Sequence, residues 1–184
     1  MQAVVGRRAL EKQAASTNTL SRFETEVLIT GDNRKGLEQL NEVWVDRAMT
    51  RTRHHRVILD MDSSESPVYG EQEGAAYNEY FKSVCYHPLF LFNHFGDCEG
   101  ALLRSGNVHS ADRWQEVLAP VVERYQRKGE RLLFRGDAAF AKPEVYQYLE
   151  SRGIGYAIRL PANDILEQEV KHLLQRPEGE LPEK

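Results

Sequence analysis

A short apolar run that ends in two aspartates is the feature of this sequence that most restricts its fold. Residues 57–59 read Val-Ile-Leu, and Asp60 and Asp62 follow with one methionine between them. Branched apolar residues in so short a run are typical of a central β-strand. Because side chains alternate in a strand, both aspartates are expected on one face, at the strand's carboxyl end. Open α/β sheets bind their ligands at such ends.

Further helix and strand patterns surround this strand. Apolar residues at helical spacing predict two helices before it, at residues 22–28 and 37–49. Pro88 lies inside the next predicted strand and places that strand at an edge or a bulge. Ser110 is the candidate N-cap of the first helix after the strands. The later predicted elements are strands 85–92, 100–104, 132–134 and 156–160 and helices 110–127, 143–152 and 164–174. Their order, β-β-β-α-β-α-β, predicts an α/β fold with a mixed sheet and flanking helices.

Composition restricts the class of protein and its location. The 184 residues suit one domain and carry 24 basic and 28 acidic side chains, a formal charge of −4. Six acids and no base lie between Asp60 and Glu79, so the acidic excess is concentrated around the first aspartates. No apolar run approaches the roughly 20 residues of a membrane span. The first residues lack the apolar stretch of a secretory signal. With only two cysteines, the sequence predicts a reduced, cytoplasmic protein without a membrane partner.

A second predicted strand also ends in an acid. Residues 132–134 are followed by Arg135, Gly136 and Asp137, and the glycine permits a tight backbone turn. Taken alone, Asp137 also fits a common Gly-Asp turn. Taken with Asp60 and Asp62, it would bring carboxylates from two strands to one sheet edge, where hard oxygen donors suit Mg²⁺ or Mn²⁺. Sites that transfer phosphoryl groups with two metal ions have this arrangement.

The apolar run followed by Asp60, Asp62 and a serine resembles the motif of haloacid-dehalogenase-like phosphatases. That resemblance implies that Asp60 is a nucleophile and Asp62 a general acid. Such phosphatases close their metal site with another aspartate soon after a Gly-Asp pair, whereas residues 138–141 here are Ala-Ala-Phe-Ala. The helices and paired strands around the first motif also fit that fold poorly. The phosphatase is therefore the weaker alternative.

Longer phrases resemble the transposase DDE domain (group 1) of bacterial insertion sequences. The phrases are LDMDSSESPVYGEQEGAAYNEYFKSVCYHPLFLF, LLRSGNVHSADRWQEVL and LLFRGDAAFAKPEVYQYLESRGIGYAIRLPAND, in that order, and the resemblance spans about residues 14–170. It implies a ribonuclease-H-like fold and cleavage and joining of DNA strands with three acids and two divalent ions. On this resemblance the first acid is Asp62, with Asp60 as the runner-up, and the second is Asp137.

The third acid that the resemblance implies, a glutamate on a later helix, has no equivalent in the sequence. Glu167 and Glu169 follow the last predicted strand too closely. We therefore expect a fragment of a longer transposase, and whether this chain is itself an enzyme stays open. The alternative from another class is a catalytically inert remnant that only binds DNA or associates with intact transposase.

The resemblance also implies a cofactor, partners and domain boundaries. The cofactor is Mg²⁺ or Mn²⁺, and the partners are transposon-end and target DNA, with a possible homodimer of the full-length protein. Arg135 and Arg159 are candidate phosphate contacts because guanidinium groups suit phosphates, although ordinary ion pairing explains them equally well. The expected divisions are an N-terminal helical segment or linker at 1–50, a partial catalytic domain at 51–175 and a flexible tail at 176–184.

The segment GAAYNEYF offers further candidates near the groove. Tyr77, Asn78 and Tyr80 either line the groove or pack in the core, with core packing the commoner role for aromatic residues. His87 and His109 share no metal-ligand spacing with other histidines and are read as structural.

Overall fold

The computed structural model describes residues 15–52, 54–161 and 163–174. The chain divides into two compact units, Met1–Arg53 and His54–Lys184. The predicted flexible tail at 176–184 lies outside the described residues. None of the described helices is both long enough and apolar enough to cross a membrane.

The N-terminal unit is helical in its described part. Helix α1 (Thr17–Arg22) runs directly into a π-helical stretch, Phe23–Leu28, and α2 (Gly31–Met49) follows. The Ser16 hydroxyl caps α1 by accepting a hydrogen bond from the Thr19 N–H at 3.2 Å. Both predicted helices are confirmed, but each begins earlier than predicted. Polar residues fill their first turns, so apolar spacing alone does not reveal where they start.

The C-terminal unit contains two sheets and three longer helices in its described part. Its elements in chain order are β1 (Val57–Ser63), β2 (Ser66–Pro67), β3 (Ala76–Asn78), β4 (Ser83–Tyr86), β5 (Leu89–Asn93), β6 (Cys98–Leu102), α3 (Trp114–Arg127), β7 (Leu132–Gly136), a 3₁₀ turn (Ala138–Phe140), α4 (Pro143–Ser151), β8 (Gly155–Ile158) and α5 (Asp164–Leu174).

The larger sheet has five strands in the order β6-β5-β1-β7-β8. Strands β1, β7 and β8 are parallel, whereas β5 is antiparallel to both of its neighbours. The strands of the larger sheet and the helices between them follow the predicted β-β-β-α-β-α-β order, so this order and the mixed α/β sheet are confirmed. This arrangement agrees with the ribonuclease-H-like fold that the resemblance implies.

The chain segment that connects β1 to β5 forms a second, smaller sheet, which was not predicted. Its three antiparallel strands have the order β2-β4-β3. The prediction of one strand over residues 85–92 is wrong, because the chain leaves the small sheet after Tyr86 and enters the large sheet at Leu89. Pro88, which has no N–H to donate, lies at this junction. Its carbonyl accepts a hydrogen bond from the Ser64 N–H at 3.0 Å.

Alternate side chains of β1 face the core. Val57, Leu59 and Met61 are at most 2% exposed, and the two aspartates alternate with them. Helix α3 packs against β5 and β6. It approaches closely at Gly100, where a Cβ atom would lie 3.2 Å from the Val117 side chain. The buried apolar stripe of α3 consists of Trp114, Val117, Leu118, Val121, Val122 and Tyr125.

The beginning of α3 differs from its prediction. The helix begins at Trp114, and the preceding Arg113 adopts a left-handed conformation with φ of 57°. Ser110 is therefore not the N-cap. Its carbonyl instead accepts a hydrogen bond at 2.9 Å from the guanidinium of the buried Arg104. The Arg104 side chain, which lies outside the helix, thus binds the loop before α3, and among the described residues no local side chain caps the helix.

Candidate active site

The carboxyl ends of β1 and β7 bring two aspartates into one cleft. The strands are parallel neighbours in which Met61 pairs with Gly136, so Asp62 and Asp137 are the next residues on each strand path. Both side chains line a cleft of about 500 Å³. The convergence of carboxylates that the sequence predicts at this sheet edge is therefore found for Asp62 and Asp137.

Each of these carboxylates makes one short-range hydrogen bond to the backbone. Oδ1 of Asp62 accepts from the Ser63 N–H at 2.8 Å. Oδ1 of Asp137 accepts from the Ala139 N–H at 3.0 Å and so caps the 3₁₀ turn. Neither aspartate forms an ion pair with any residue in the described ranges. Their remaining oxygen lone pairs are thus available to a ligand in the cleft.

Gly136 matters for packing rather than for a left-handed turn. A Cβ atom there would lie 3.1 Å and 3.2 Å from ring atoms of Phe140 and Phe134. Contacts this short are tighter than ordinary van der Waals distances, so a larger residue would displace the rings beneath Asp137. The glycine thus allows the chain to pass closely over the core just before the second carboxylate.

Asp60 has a different environment from Asp62, although the two lie on the same face of β1. It is the register partner of Arg135 on β7. Its two carboxylate oxygens accept hydrogen bonds from Nε and Nη2 of that arginine at 2.5 and 2.6 Å. Such a bidentate pair compensates the charge of Asp60 and raises the pKa of the Arg135 guanidinium. Neither residue is among those that line the cleft.

Arg159 lies at the same edge of the sheet, immediately after β8. Its backbone N–H donates to the carbonyl of Gly136 at 3.2 Å, which places it beside the strand that delivers Asp137. The residue is exposed. Its guanidinium makes no hydrogen bond or ion pair with a residue of the described ranges, so its charge is not compensated there.

The small sheet and the loop before α3 form another wall of the cleft. From the predicted groove candidates, Asn78 and Tyr80 line it and Tyr77 does not. The remaining lining residues are Ser63, Phe81, His87, Val108, His109 and Ser110.

The two histidines of this wall were read from the sequence as structural. His87 is 4% exposed, and its Nδ1 lies 3.1 Å from the Val108 carbonyl, to which it can only donate. Nδ1 of His109 accepts from the Ala111 N–H at 3.1 Å. Both rings are therefore fixed by backbone groups while they line the cleft. No local pattern reveals this, because both histidines lie far from Asp62 in sequence.

The described residues contain no group of three or more His, Cys, Asp or Glu side chains placed to hold a metal ion together. Glu167 and Glu169 lie on α5 and are exposed, and neither lines the cleft. Asp62 and Asp137 are its acidic lining residues.

Comparison with solved structures returns transposases and an integrase at low similarity. The chain is 13% identical to a protein in the crystal structure of the Mos1 mariner paired end complex with Mn, with a TM-score of 0.39, and the match covers 74% of this chain and 53% of that one. For the HTLV-2 integrase catalytic core domain in complex with magnesium, the identity is 17%, the TM-score 0.34 and the coverages 69% and 77%. For the piggyBac transposase synaptic complex with hairpin DNA, the identity is 14% and the TM-score 0.39, and the match covers 96% of this chain and 41% of that one.

This chain thus spans about half the length of the first of these proteins. The fold follows from the strand order and strand directions of the larger sheet. No curated protein matches the chain. The family described as transposase DDE domain group 1, by contrast, matches residues 1–184, and the chain therefore belongs to this family of transposase domains.

Proposed function

We propose that the cleft supplies two acidic ligands for metal-dependent cleavage and joining of DNA strands in a transposase. The observation that carries the proposal is the convergence of Asp62 and Asp137, without ion pairs to described residues, at the carboxyl ends of two parallel strands. Membership of the transposase DDE domain family supports this chemistry. The phosphatase alternative is not supported, because the chain belongs to another family and its required nucleophile, Asp60, is engaged by Arg135.

The donor set of the cleft suits Mg²⁺ or Mn²⁺. Both ions prefer hard oxygen ligands, and carboxylates held by backbone hydrogen bonds still offer several lone pairs. Bound there, such ions would polarise a phosphodiester and favour the deprotonated form of an attacking hydroxyl or water. Asp62 and Asp137 would hold the ions. Two adjacent carboxylates repel each other, and a divalent cation would compensate this repulsion.

We assign the first acid to Asp62 rather than to Asp60. A ligand role for Asp60 would require it to leave two short hydrogen bonds to Arg135. Asp60 and Arg135 instead connect the two central parallel strands on the face that carries Asp62. Arg159 is the better candidate for a phosphate contact, since its guanidinium is exposed beside the strand end that delivers Asp137.

The partners we propose for the whole protein are transposon-end DNA and target DNA, in the cytoplasm. Because an insertion sequence has two ends and each must be cut and joined, we propose a homodimer of the whole protein, in which each subunit supplies one cleft.

Calorimetric titration with Mn²⁺ tests the site. We expect Asp62→Asn and Asp137→Asn each to weaken Mn²⁺ binding by at least about tenfold, because each removes a charged oxygen ligand. Asp60→Asn is the matched control, since it removes a neighbouring carboxylate from the same strand face and should leave the affinity within about twofold of the wild type. Circular dichroism checks that each variant is folded. Equal Mn²⁺ affinities for the wild type, Asp62→Asn and Asp137→Asn would refute the metal site, and loss of binding in Asp60→Asn alone would transfer the first acid to Asp60.

A further inference from the structure

The tip of the small sheet presents an aromatic side chain at the cleft. Strands β3 and β4 form a hairpin in which Asn78 pairs with Ser83, and Tyr80 lies in the turn between them. Tyr80 is 87% exposed and lines the same cleft as Asp62 and Asp137. A large aromatic ring that is so exposed contributes little to the packing of its own fold.

The turn that carries Tyr80 is held in place by side-chain and backbone contacts. Oδ1 of Asn78 accepts hydrogen bonds from the N–H groups of Tyr80 and Phe81 at 2.9 and 3.1 Å. Nδ2 of the same asparagine donates to the Gly106 carbonyl at 2.6 Å and so connects the turn to another loop. Because one side chain makes all three bonds, the position of the Tyr80 backbone is fixed relative to the wall of the cleft.

Two further rings form a chain of edge-to-face contacts with the ring of Tyr80. Its ring meets Phe81 edge to face, with centroids 5.1 Å apart and an interplanar angle of 81°. Phe81 in turn meets the buried His87 at 5.6 Å and 86°. Edge-to-face contacts of this kind orient a ring. Together with the exposure of Tyr80, they leave an oriented aromatic surface that can accept another planar group.

The charges of the cleft indicate which planar group that is. Two aspartates line it, and none of its described lining residues is a lysine or an arginine. A DNA strand that brings a phosphodiester to Asp62 and Asp137 is therefore repelled by these carboxylates wherever a metal ion does not compensate them. An attractive contact that does not depend on phosphate charge is stacking of a base on an aromatic ring, which contributes about 1–3 kcal/mol per base.

We propose that Tyr80 is a stacking platform for an unpaired nucleobase of the DNA strand whose phosphodiester enters the cleft. This inference rests on the proposed function, since it is the carboxylate pair that defines where the strand must lie. The turn would fix the position of the strand end through its base, and the carboxylates and their metal ions would act on its backbone. A base must be out of its duplex stack to reach the ring, so the site would favour single-stranded or frayed ends.

Binding of a DNA duplex with a short single-stranded end, followed by fluorescence anisotropy, tests the proposal on the full chain. The comparison is with the same duplex whose overhanging nucleotides are abasic. We expect Tyr80→Ala to weaken binding of the base-bearing end by at least about fivefold, the lower end of stacking on one base, and to leave binding of the abasic end unchanged. Tyr80→Phe should bind as the wild type does, because it keeps the aromatic face.

Tyr69→Ala is the matched control, since Tyr69 also lies between β1 and β5, is 92% exposed and does not line the cleft. It should leave both affinities unchanged. An equal loss for base-bearing and abasic ends in Tyr80→Ala would overturn the stacking platform, as would a wild-type chain that does not distinguish the two DNAs.

The measurements are made with Mn²⁺ and with EDTA, which separates the platform from the metal site. Tyr80-dependent binding that survives in EDTA, together with unaltered Mn²⁺ affinities of the aspartate variants, would mean that the metal site fails and the platform stands. DNA binding that does not depend on Tyr80, together with weaker Mn²⁺ binding by the aspartate variants, would mean that the platform fails and the metal site stands.

Discussion

A buried ionic network between α3 and the edge of the large sheet allows a sharp test of what stabilises the C-terminal unit. Glu99 of β6 is 4% exposed and forms an ion pair with Arg124 of α3, which is 6% exposed. Oε1 of Glu99 also accepts hydrogen bonds from the Tyr125 hydroxyl at 2.5 Å and from Nδ2 of Asn93 at 2.8 Å. The network thus joins the helix, the edge strand and the end of β5.

The loss of free energy of unfolding in each single variant follows from the charge that stays buried when its partner is removed. In Arg124→Met the chain keeps a similar aliphatic length, but the Glu99 carboxylate stays buried without its cationic partner. Breaking a buried pair in this way costs about 3–5 kcal/mol. Since native domains are stable by only about 5–15 kcal/mol, the variant would lose a large fraction of its free energy of unfolding. Glu99→Gln should cost a similar amount, because it leaves the guanidinium of Arg124 buried.

Urea unfolding of the wild type, both single variants and the double variant measures this coupling. In the double variant both charges are gone, while the amide oxygen introduced by Glu99→Gln could still accept from Tyr125 and Asn93. The double variant should therefore lose much less free energy of unfolding than the two single variants lose together. The exposed pair of Arg113 and Glu116 at the start of the same helix provides a matched control that should show a coupling of at most about 1 kcal/mol, because water screens it. Single losses below about 1 kcal/mol, or additive losses, would refute the reasoning.

Two further predictions concern packing and pH. A Cβ atom at Gly106 would collide with the Cys85 carbonyl oxygen, so we expect Gly106→Ala to lower the free energy of unfolding by about 1–3 kcal/mol, and an unchanged urea midpoint would contradict this. Burial, followed by the hydrogen bond to Glu99, raises the pKa of the Tyr125 hydroxyl above its usual value near 10.0. Above that pH the unfolded chain releases this proton and the folded chain keeps it, so stability should fall as the pH rises. Tyr125→Phe should flatten this alkaline slope in thermal unfolding, Tyr69→Phe should not, and equal slopes in all three proteins would contradict the assignment.

The order along the chain of the strands and helices of the larger sheet could be predicted because its signals are local. Apolar runs at residues 57–59 and 132–134 and the mostly apolar segment 156–160 predict strands, and the helix between the last two imposes a parallel connection. That both strands end in an acid was visible in the sequence, whereas the pairing of β1 with β7, which brings Asp62 and Asp137 together, joins residues far apart in the chain. The family resemblance drawn from the longer phrases is confirmed by the family match over the whole chain.

The small sheet could not be predicted because its strands are too short to show a period. β2 and β3 contain two and three residues, and each is a strand only through its pairing with β4. The strand predicted over residues 85–92 failed for a different reason. Its apolar residues continue across the junction at Pro88, where the backbone changes partners without a change in composition.

The sequence by itself determined the α/β order and the two strands that carry acids, because side-chain alternation and apolar runs act within a few residues. Only the tertiary structure decided how the acids differ. Asp60 and Asp62 lie on one strand face with identical chemistry, but the register of β1 and β7 places Arg135 beside Asp60 and leaves Asp62 in the cleft. The same is true of Tyr80, which lies at the cleft on a hairpin that a hydrogen bond from Asn78 connects to the distant Gly106. Contacts between residues far apart in the chain set the charge and exposure of these side chains, and no local pattern encodes them.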